Sequence, residues 1–332
     1  MKQTRILVTG AGSVMGQSTY RAIAHAKQVE TMRVIVTNTH ELGAGLYFNQ
    51  KNYLPYIEKS LIVPLAADPI YEEALHQLVT ENKIDIIFSG TQHEILRISQ
   101  YSVDHPIAAV LPPAVLNIAL DKLETARFFA RHPILVPTTW LLEDLISQVD
   151  NSYFPLVLKP RSSSSSRSIY IIKNRDDWDD FFKTNPNVNP QQVIAQTYIE
   201  GEEYTCGCYI DRYTFETNTI ILKRTLTADG ATGYAQVIQD ETIEAYLLAI
   251  CQALQKEGME YGHINIQLRL QNGVPYCFEI NGRLSSTEAP KAVLGFNSVD
   301  AYIHNIVYQQ PYEHFQVAHG KRFLRYYEEV FF

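Results

Sequence analysis

Two runs of alternating residues flank Asn272-Gly273, and they constrain the fold of this chain more than any other segment. Before the pair, Ile264, Ile266, Leu268 and Leu270 alternate with His263, Asn265, Gln267 and Arg269. After it, Tyr276, Phe278 and Ile280 alternate with Cys277, Glu279, Asn281 and Arg283. A period of two marks strands with one face in a core, and Asn-Gly is the favoured two-residue hairpin turn. The two signals conflict. A tight turn pairs 271 with 274 and so sets Gln267 opposite Phe278, which puts Glu279 on the oily side without a partner. Matching the faces instead requires Gln267 opposite Glu279 and Asn265 opposite Asn281. A three-residue loop or a β-bulge near Gly273 is therefore expected, with the turn preference losing to the pattern.

The 332 residues are long for one compact unit and suit two or three units sharing clefts. A net charge of −8 disfavours nucleic-acid binding over a basic face. No run of about 18 apolar residues is present, so no membrane span is expected. The N-terminus reads as a first strand rather than a leader, which points to a cytoplasmic protein. Cys206, Cys208, Cys251 and Cys277 lack paired metal spacing and read as buried thiols.

The first third alternates strands (Arg5–Thr9, Arg33–Thr37, Ile84–Phe88) with capped helices, which is βαβ wiring and a parallel sheet. Leu111-Pro-Pro113 breaks that pattern. Two short strands, Pro155–Lys159 and Ser168–Ile172, then bracket a serine loop, and from Tyr204 the chain is rich in strands with one helix over Glu241–Lys256. The class is α/β (α+β), and the expected units are 1–112, 113–196 and 197–332.

Three segments carry candidate chemistry. Gly10, Gly12 and Gly16 after the first strand fit a dinucleotide turn, but strand two ends in Asn38 where a ribose-binding carboxylate is needed. A tight turn needing small residues explains the glycines as well. Ser162–Ser166, bracketed by Lys159, Arg161 and Arg167, is either a linker or a cradle in which backbone N–H groups, hydroxyls and cations wrap a phosphate. The polar hairpin face (Asn265, Gln267, Glu279, Asn281) is an oxygen-donor set with one carboxylate, a chemistry that suits Mg²⁺ with room for phosphates. Arg224, Arg269 and His263 are candidates for holding a substrate carboxylate.

Six short motifs in order resemble the ATP-grasp superfamily, and within it one synthetase unit of the carbamoyl-phosphate synthase large subunit, over almost the whole chain. Gly10–Ser18 looks like the group's opening segment, Asp121-Lys122 like its first phosphate lysine, and Leu158-Lys159-Pro160 like the second. Gln196–Tyr204 is similar to its hinge, and Asn265–Gln267 with Phe278–Arg283 to its paired metal strands, continued by Ser285 and Lys291–Phe296.

The resemblance implies an ATP-grasp fold: a Rossmann-like pre-ATP-grasp domain, a small lid subdomain, and a C-terminal antiparallel subdomain carrying the metal site. It implies ATP gripped by Lys122, Lys159, Arg161, Ser164, Ser165 and Arg167, with Gln196 and Ile199 at adenine and Glu203 at ribose. Gln267, Glu279 and Asn281 would ligate one or two Mg²⁺, with Mn²⁺ also accommodated. Arg283 and Lys159 would be catalytic in a carboxylate–amine ligase acting through an acyl-phosphate and joining an amino acid or amine to a small carboxylate, an activity compatible with a homodimer. The serine loop departs from a usually glycine-rich one. The chain is also much shorter than a carbamoyl-phosphate synthase subunit, so it is not expected to make carbamoyl phosphate alone. The rival expectations are an NAD(P)-dependent oxidoreductase built on Gly10–Gly16 and a non-catalytic ATP sensor.

Overall fold

A computed structural model describes residues 3–50, 55–162 and 168–331. The first third forms a parallel sheet from β1 (Thr4–Val8), β2 (Met32–Asn38), β3 (Ile57–Ile62) and β4 (Ile86–Phe88), in the order β3-β2-β1-β4. Strands β1, β2 and β4 are nearly continuous apolar runs because helices bury both faces. Helix α1 (Val14–Ile23) packs on one face, and α2 (Tyr71–Asn82) and α3 (Gln92–Asp104) on the other. The Thr-x-x-Glu pattern caps α3: Thr91 Oγ1 accepts the Glu94 N–H at 3.3 Å and donates to its carboxylate at 2.8 Å.

Protein fills the glycine turn. Gly10 has φ +55°, and a Cβ there would stand 2.4 Å from Thr91 Cγ2. The neighbouring loop presses so closely that a Cβ on Gly45 would meet the Ala11 carbonyl at 2.0 Å. At the end of β2, the Asn38 side chain accepts the Gly12 N–H at 3.3 Å. Close packing therefore accounts for the glycines.

The two prolines at 112–113 begin a helix as well as break a pattern. Pro113 is the first residue of α4 (Pro113–Leu120), where its missing N–H costs nothing. Helix α5 (Lys122–Ala130) follows, capped by Asp121, which accepts the Leu123 N–H at 2.9 Å. A small antiparallel sheet comes next, from β5 (Thr139–Leu141), then α6 (Leu142–Leu145), β6 (Leu156–Pro160), β7 (Tyr170–Ile172), α7 (Arg175–Thr184) and β8 (Val193–Thr197). Its strand order is β5-β8-β6-β7, and its own core centres on Leu156, Leu158, Trp178 and Phe181.

The last third is a six-stranded antiparallel sheet. Its elements are β9 (Glu202–Ile210), β10 (Thr217–Leu226), β11 (Thr232–Ile238), α8 (Glu241–Lys256), β12 (Gly262–Gln271), β13 (Val274–Asn281), α9 (Glu288–Val293), α10 (Ser298–Ile303) and β14 (Arg322–Leu324). The order is β13-β12-β9-β10-β11-β14. Its back face (Cys206, Cys208, Ile221, Ile264, Ile266, Leu268) shares one core with α4, α5 and α8. All four cysteines are buried and free. The front face is divided. Tyr209, Ile220, Leu222, Ala235 and Val237 join the core of α1, α10 and the parallel sheet, while Thr205, Arg224, Asn265, Gln267 and Glu279 line a cleft with the small sheet. Among the described residues no helix is long and apolar enough to cross a membrane.

Candidate active site

The hairpin β12–β13 satisfies both of its conflicting signals. Asn272 (φ 52°) and Gly273 (φ 78°) form the two-residue turn, and 271 pairs with 274. Leu268 still faces Cys277, but the next pair is Gln267 with Glu279, followed by Ile266 with Ile280 and Asn265 with Asn281. The register shift therefore leaves Phe278 as the extra residue. The expected pairing forms, but the turn is kept, and the bulge lies at Phe278 rather than near Gly273.

A bulge sends two successive side chains toward one side. Phe278 and Glu279 accordingly both line the cleft, while Cys277 points into the core. The strand-alternation expectation that put Phe278 in the core and Cys277 on the polar face is reversed for this reason.

The bulge also positions a lysine. Lys159, on β6 and 4% exposed, donates to the Phe278 carbonyl at 3.1 Å and to Gln196 Oε1 at 3.0 Å. Gln196 is held in turn by its own donation to Thr139 Oγ1 at 2.9 Å. Burial pulls the Lys159 ammonium down to about 8, against the attraction of Glu279. Burial alone would raise the Glu279 carboxyl; Lys122, Lys159, Asn281 and Arg283 outweigh it and hold the group below the usual carboxylate range. The cleft thus has a half-buried, ionised carboxylate among three cations. Arg283 spends Nη1 on the Leu284 carbonyl at 3.2 Å, and its buried Nε has no hydrogen-bond partner among the described residues.

These residues fit Mg²⁺ in one setting only. Gln267 Oε1 accepts Arg224 Nη2 at 2.9 Å, and Asn281 Nδ2 donates to Glu279 at 3.0 Å, which leaves the Asn281 side-chain oxygen for a ligand. No cluster of three His, Cys, Asp or Glu suited to a metal occurs among the described residues. One carboxylate with amide oxygens is too little to hold Mg²⁺ alone, but enough when phosphates and water complete an octahedron. The unpaired Arg283 Nε and the two buried lysines are donors for such phosphates.

Glu203 stands beside Gln267, and Arg224 Nη2 donates to both. Arg224 contacts Glu203 Oε1 at 2.6 Å and Arg269 contacts Glu203 Oε2 at 3.0 Å. Arg269 also donates to the Ile199 carbonyl at 3.0 Å and stacks over Tyr198. The two arginines expected to hold a substrate are thus committed to Glu203, which keeps lone pairs for a hydroxyl. Two other candidates lie outside the cleft. Arg161 pairs with Asp121 at 2.6 Å. His263 is buried beneath the sheet, with Nδ1 2.9 Å from Ser298 Oγ, because its strand position falls where the front face is already covered. Ser164, Ser165 and Arg167, and with them the phosphate-cradle expectation, lie outside the described residues.

A buried network supports the floor of the site. Glu288 Oε1 accepts from Ser285 N (3.0 Å), Ser285 Oγ (2.8 Å) and Lys291 Nζ (3.0 Å), and Lys291 also donates to Asn265 at 2.9 Å. Gly207 on β9 leaves room for this lysine: a Cβ there would stand 3.0 Å from Lys291 Nζ. Burial would raise the Glu288 carboxyl, but His263, Lys291 and Ser285 bring it down to about 2. Glu288→Gln leaves Lys291 buried and unpaired and is expected to cost about 3–5 kcal/mol at pH 7. The depressed group contributes stability that is present above its unfolded value and lost as pH falls toward 2. Urea melts of the two proteins should therefore converge between about pH 5 and pH 2; a constant gap would contradict this account.

Arg325, Thr205 and Thr287 also line the cleft, and sequence patterns do not single them out. Thr205 carries no local signal, and Arg325 reaches the site only because β14 pairs with β11.

Comparison with known proteins agrees with this architecture. The profile of the ATP-grasp domain matches residues 119–287, just over half of the 332. The chain belongs to the ATP-grasp family. A D-alanine–D-alanine ligase of Bacillus anthracis is 25% identical over 187 residues, which span 52% of this chain and 60% of that one. The carbamoyl phosphate synthase large chain of Thermomicrobium roseum is 21% identical over 248 residues, 69% of this chain but 22% of its own length. The chain thus matches less than two thirds of either relative. Among solved structures, the ADP complex of a purK N5-carboxyaminoimidazole ribonucleotide synthetase superposes with a TM-score of 0.73 at 15% identity, covering 96% of this chain and 80% of the other. That likeness is one of fold.

Proposed function

We propose that this chain is an ADP-forming ligase that uses MgATP to join an amine to a small carboxylate. The observation that carries the reading is the ionised Glu279 set among Lys122, Lys159 and Arg283 in a cleft of about 660 Å³. In this reading the nucleoside lies toward Ile199 and Glu203, and the phosphates lie toward Lys122, Lys159 and Arg283. Gln267, Glu279 and Asn281 would hold Mg²⁺, which would supply positive charge to offset that of the phosphates. A carboxylate oxygen attacks the γ-phosphorus and ADP leaves. The amine nitrogen then attacks the acyl carbon, the C–O bond to phosphate breaks, and the amine proton is lost to solvent. Lys159 and Arg283 serve this path by positioning and by offsetting charge as it develops. The names of the relatives support the class of reaction, and residues 1–112, 113–196 and 197–332 are read as its three units.

The filled glycine turn favours this reading over a dinucleotide oxidoreductase, and the complete Glu279, Asn281 and Arg283 set favours it over a sensor without turnover. ADP release over pools of small carboxylates and amines tests it. Release that requires one member of each pool is expected; ATP binding with no ADP from any pair would overturn it.

A further inference from the structure

The cleft is also lined by residues that the proposed phosphate-binding groups leave unused, among them Asp229, Ser286, Thr287 and Arg325. Arg325 directly follows β14, and its N–H donates to the Gly233 carbonyl at 2.8 Å, which fixes its backbone. Its side chain turns inward, where Nη2 donates to the Ser286 carbonyl at 2.7 Å. Among the described residues no carboxylate comes within 4.0 Å of this guanidinium. Burial disfavours its charge, Asp229 and Tyr327 only partly offset that, and Arg21 adds to it.

Pinning the Ser286 carbonyl needs one neutral donor. A guanidinium brings five N–H groups and a charge that is costly to leave half-buried without a partner. A carboxylate would accept two parallel N–H bonds from such a fork. Asp229, whose charge reaches Arg325, would repel a second carboxylate on the ligand but favour an ammonium.

We propose that Arg325 holds the carboxylate of the amine substrate, so that the acceptor is an amino acid rather than a simple amine. The assignment rests on the ligase reading above and adds the class of its second substrate.

The test measures ADP release by wild type, Arg325→Gln and Arg325→Lys with L-amino acids, their carboxamides and simple alkylamines, over the carboxylate pool. Wild type should favour the acid over its carboxamide by roughly 30-fold in kcat/KM, the scale of a charged hydrogen-bonded contact. Arg325→Gln should abolish that preference through KM for the amino acid, with kcat and KM for ATP little changed. Arg325→Lys should restore part of it. A loss that instead reflected slack at Ser286 would lower kcat for acid and carboxamide alike and would refute the assignment. So would an acid-to-carboxamide ratio in Arg325→Gln equal to that of wild type. Turnover of alkylamines and carboxamides as readily as amino acids by wild type would leave the ligase standing and remove this proposal. No ADP with any amine would remove both.

Discussion

Lys159→Ala and Arg283→Ala should each reduce substrate-dependent ADP formation by about 10²–10³, the scale of one lost charge contact to a developing anion. Lys159 stands on the small sheet and Arg283 follows β13 of the large one, so neither takes over the other's place in the cleft. Lys159 has its position prepared by Gln196 and the Phe278 carbonyl, so the lost amine leaves two acceptors without a donor. Arg283 is half-buried and held by its donation to the Leu284 carbonyl, with Nε unpaired among the described residues. The lysine adds a pH signature. With its ammonium brought down to about 8 by burial, the free site loses that charge as pH rises through 8. ATP affinity should therefore weaken above pH 8 in wild type, and this pH dependence should be reduced in Lys159→Ala. Circular dichroism must show both variants folded. Turnover at the wild-type rate in either one would place the chemistry elsewhere.

Glu279→Gln should weaken Mg²⁺-dependent ATP binding more than Asn281→Ala does, because it removes the single full negative charge among the proposed ligands. Its local effect is also larger. Lys122, Lys159 and Arg283 hold Glu279 ionised, and without it three cations face one another in a partly desolvated cleft. Stability should fall by less than the about 3–5 kcal/mol of a fully buried charge pair, because Glu279 is only half-buried. Titrating Mg²⁺ at fixed ATP with a fluorescent analogue separates the two effects, since metal-free nucleotide should bind the variant at least as well as wild type. Equal losses from Glu279→Gln and Asn281→Ala would count against the ligand roles.

Much of this site is legible in the residue pattern alone. The polar face of the hairpin names Asn265, Gln267, Glu279 and Asn281, and they do line one cleft wall. The pattern misleads where one local rule is expected to yield to another. A bulge five residues beyond the turn keeps both rules, because a strand can absorb one extra residue anywhere along its length. The helix over Pro113–Leu120 is hidden for a different reason: its buried, almost uniformly apolar sequence carries little amphipathic period to read.

Residue chemistry, strand and helix periods, caps and the order of the motifs were determined by the sequence itself, since each depends on neighbours within a few positions. Which cations are free for a ligand was decided only by the tertiary structure. Arg224 and Arg269 are consumed by Glu203, Arg161 by Asp121, and His263 is sealed beneath α10. Arg325, by contrast, enters the cleft from the far end of the chain. A charge's availability depends on what stands within about 4 Å of it in space, and long-range strand pairing sets that distance.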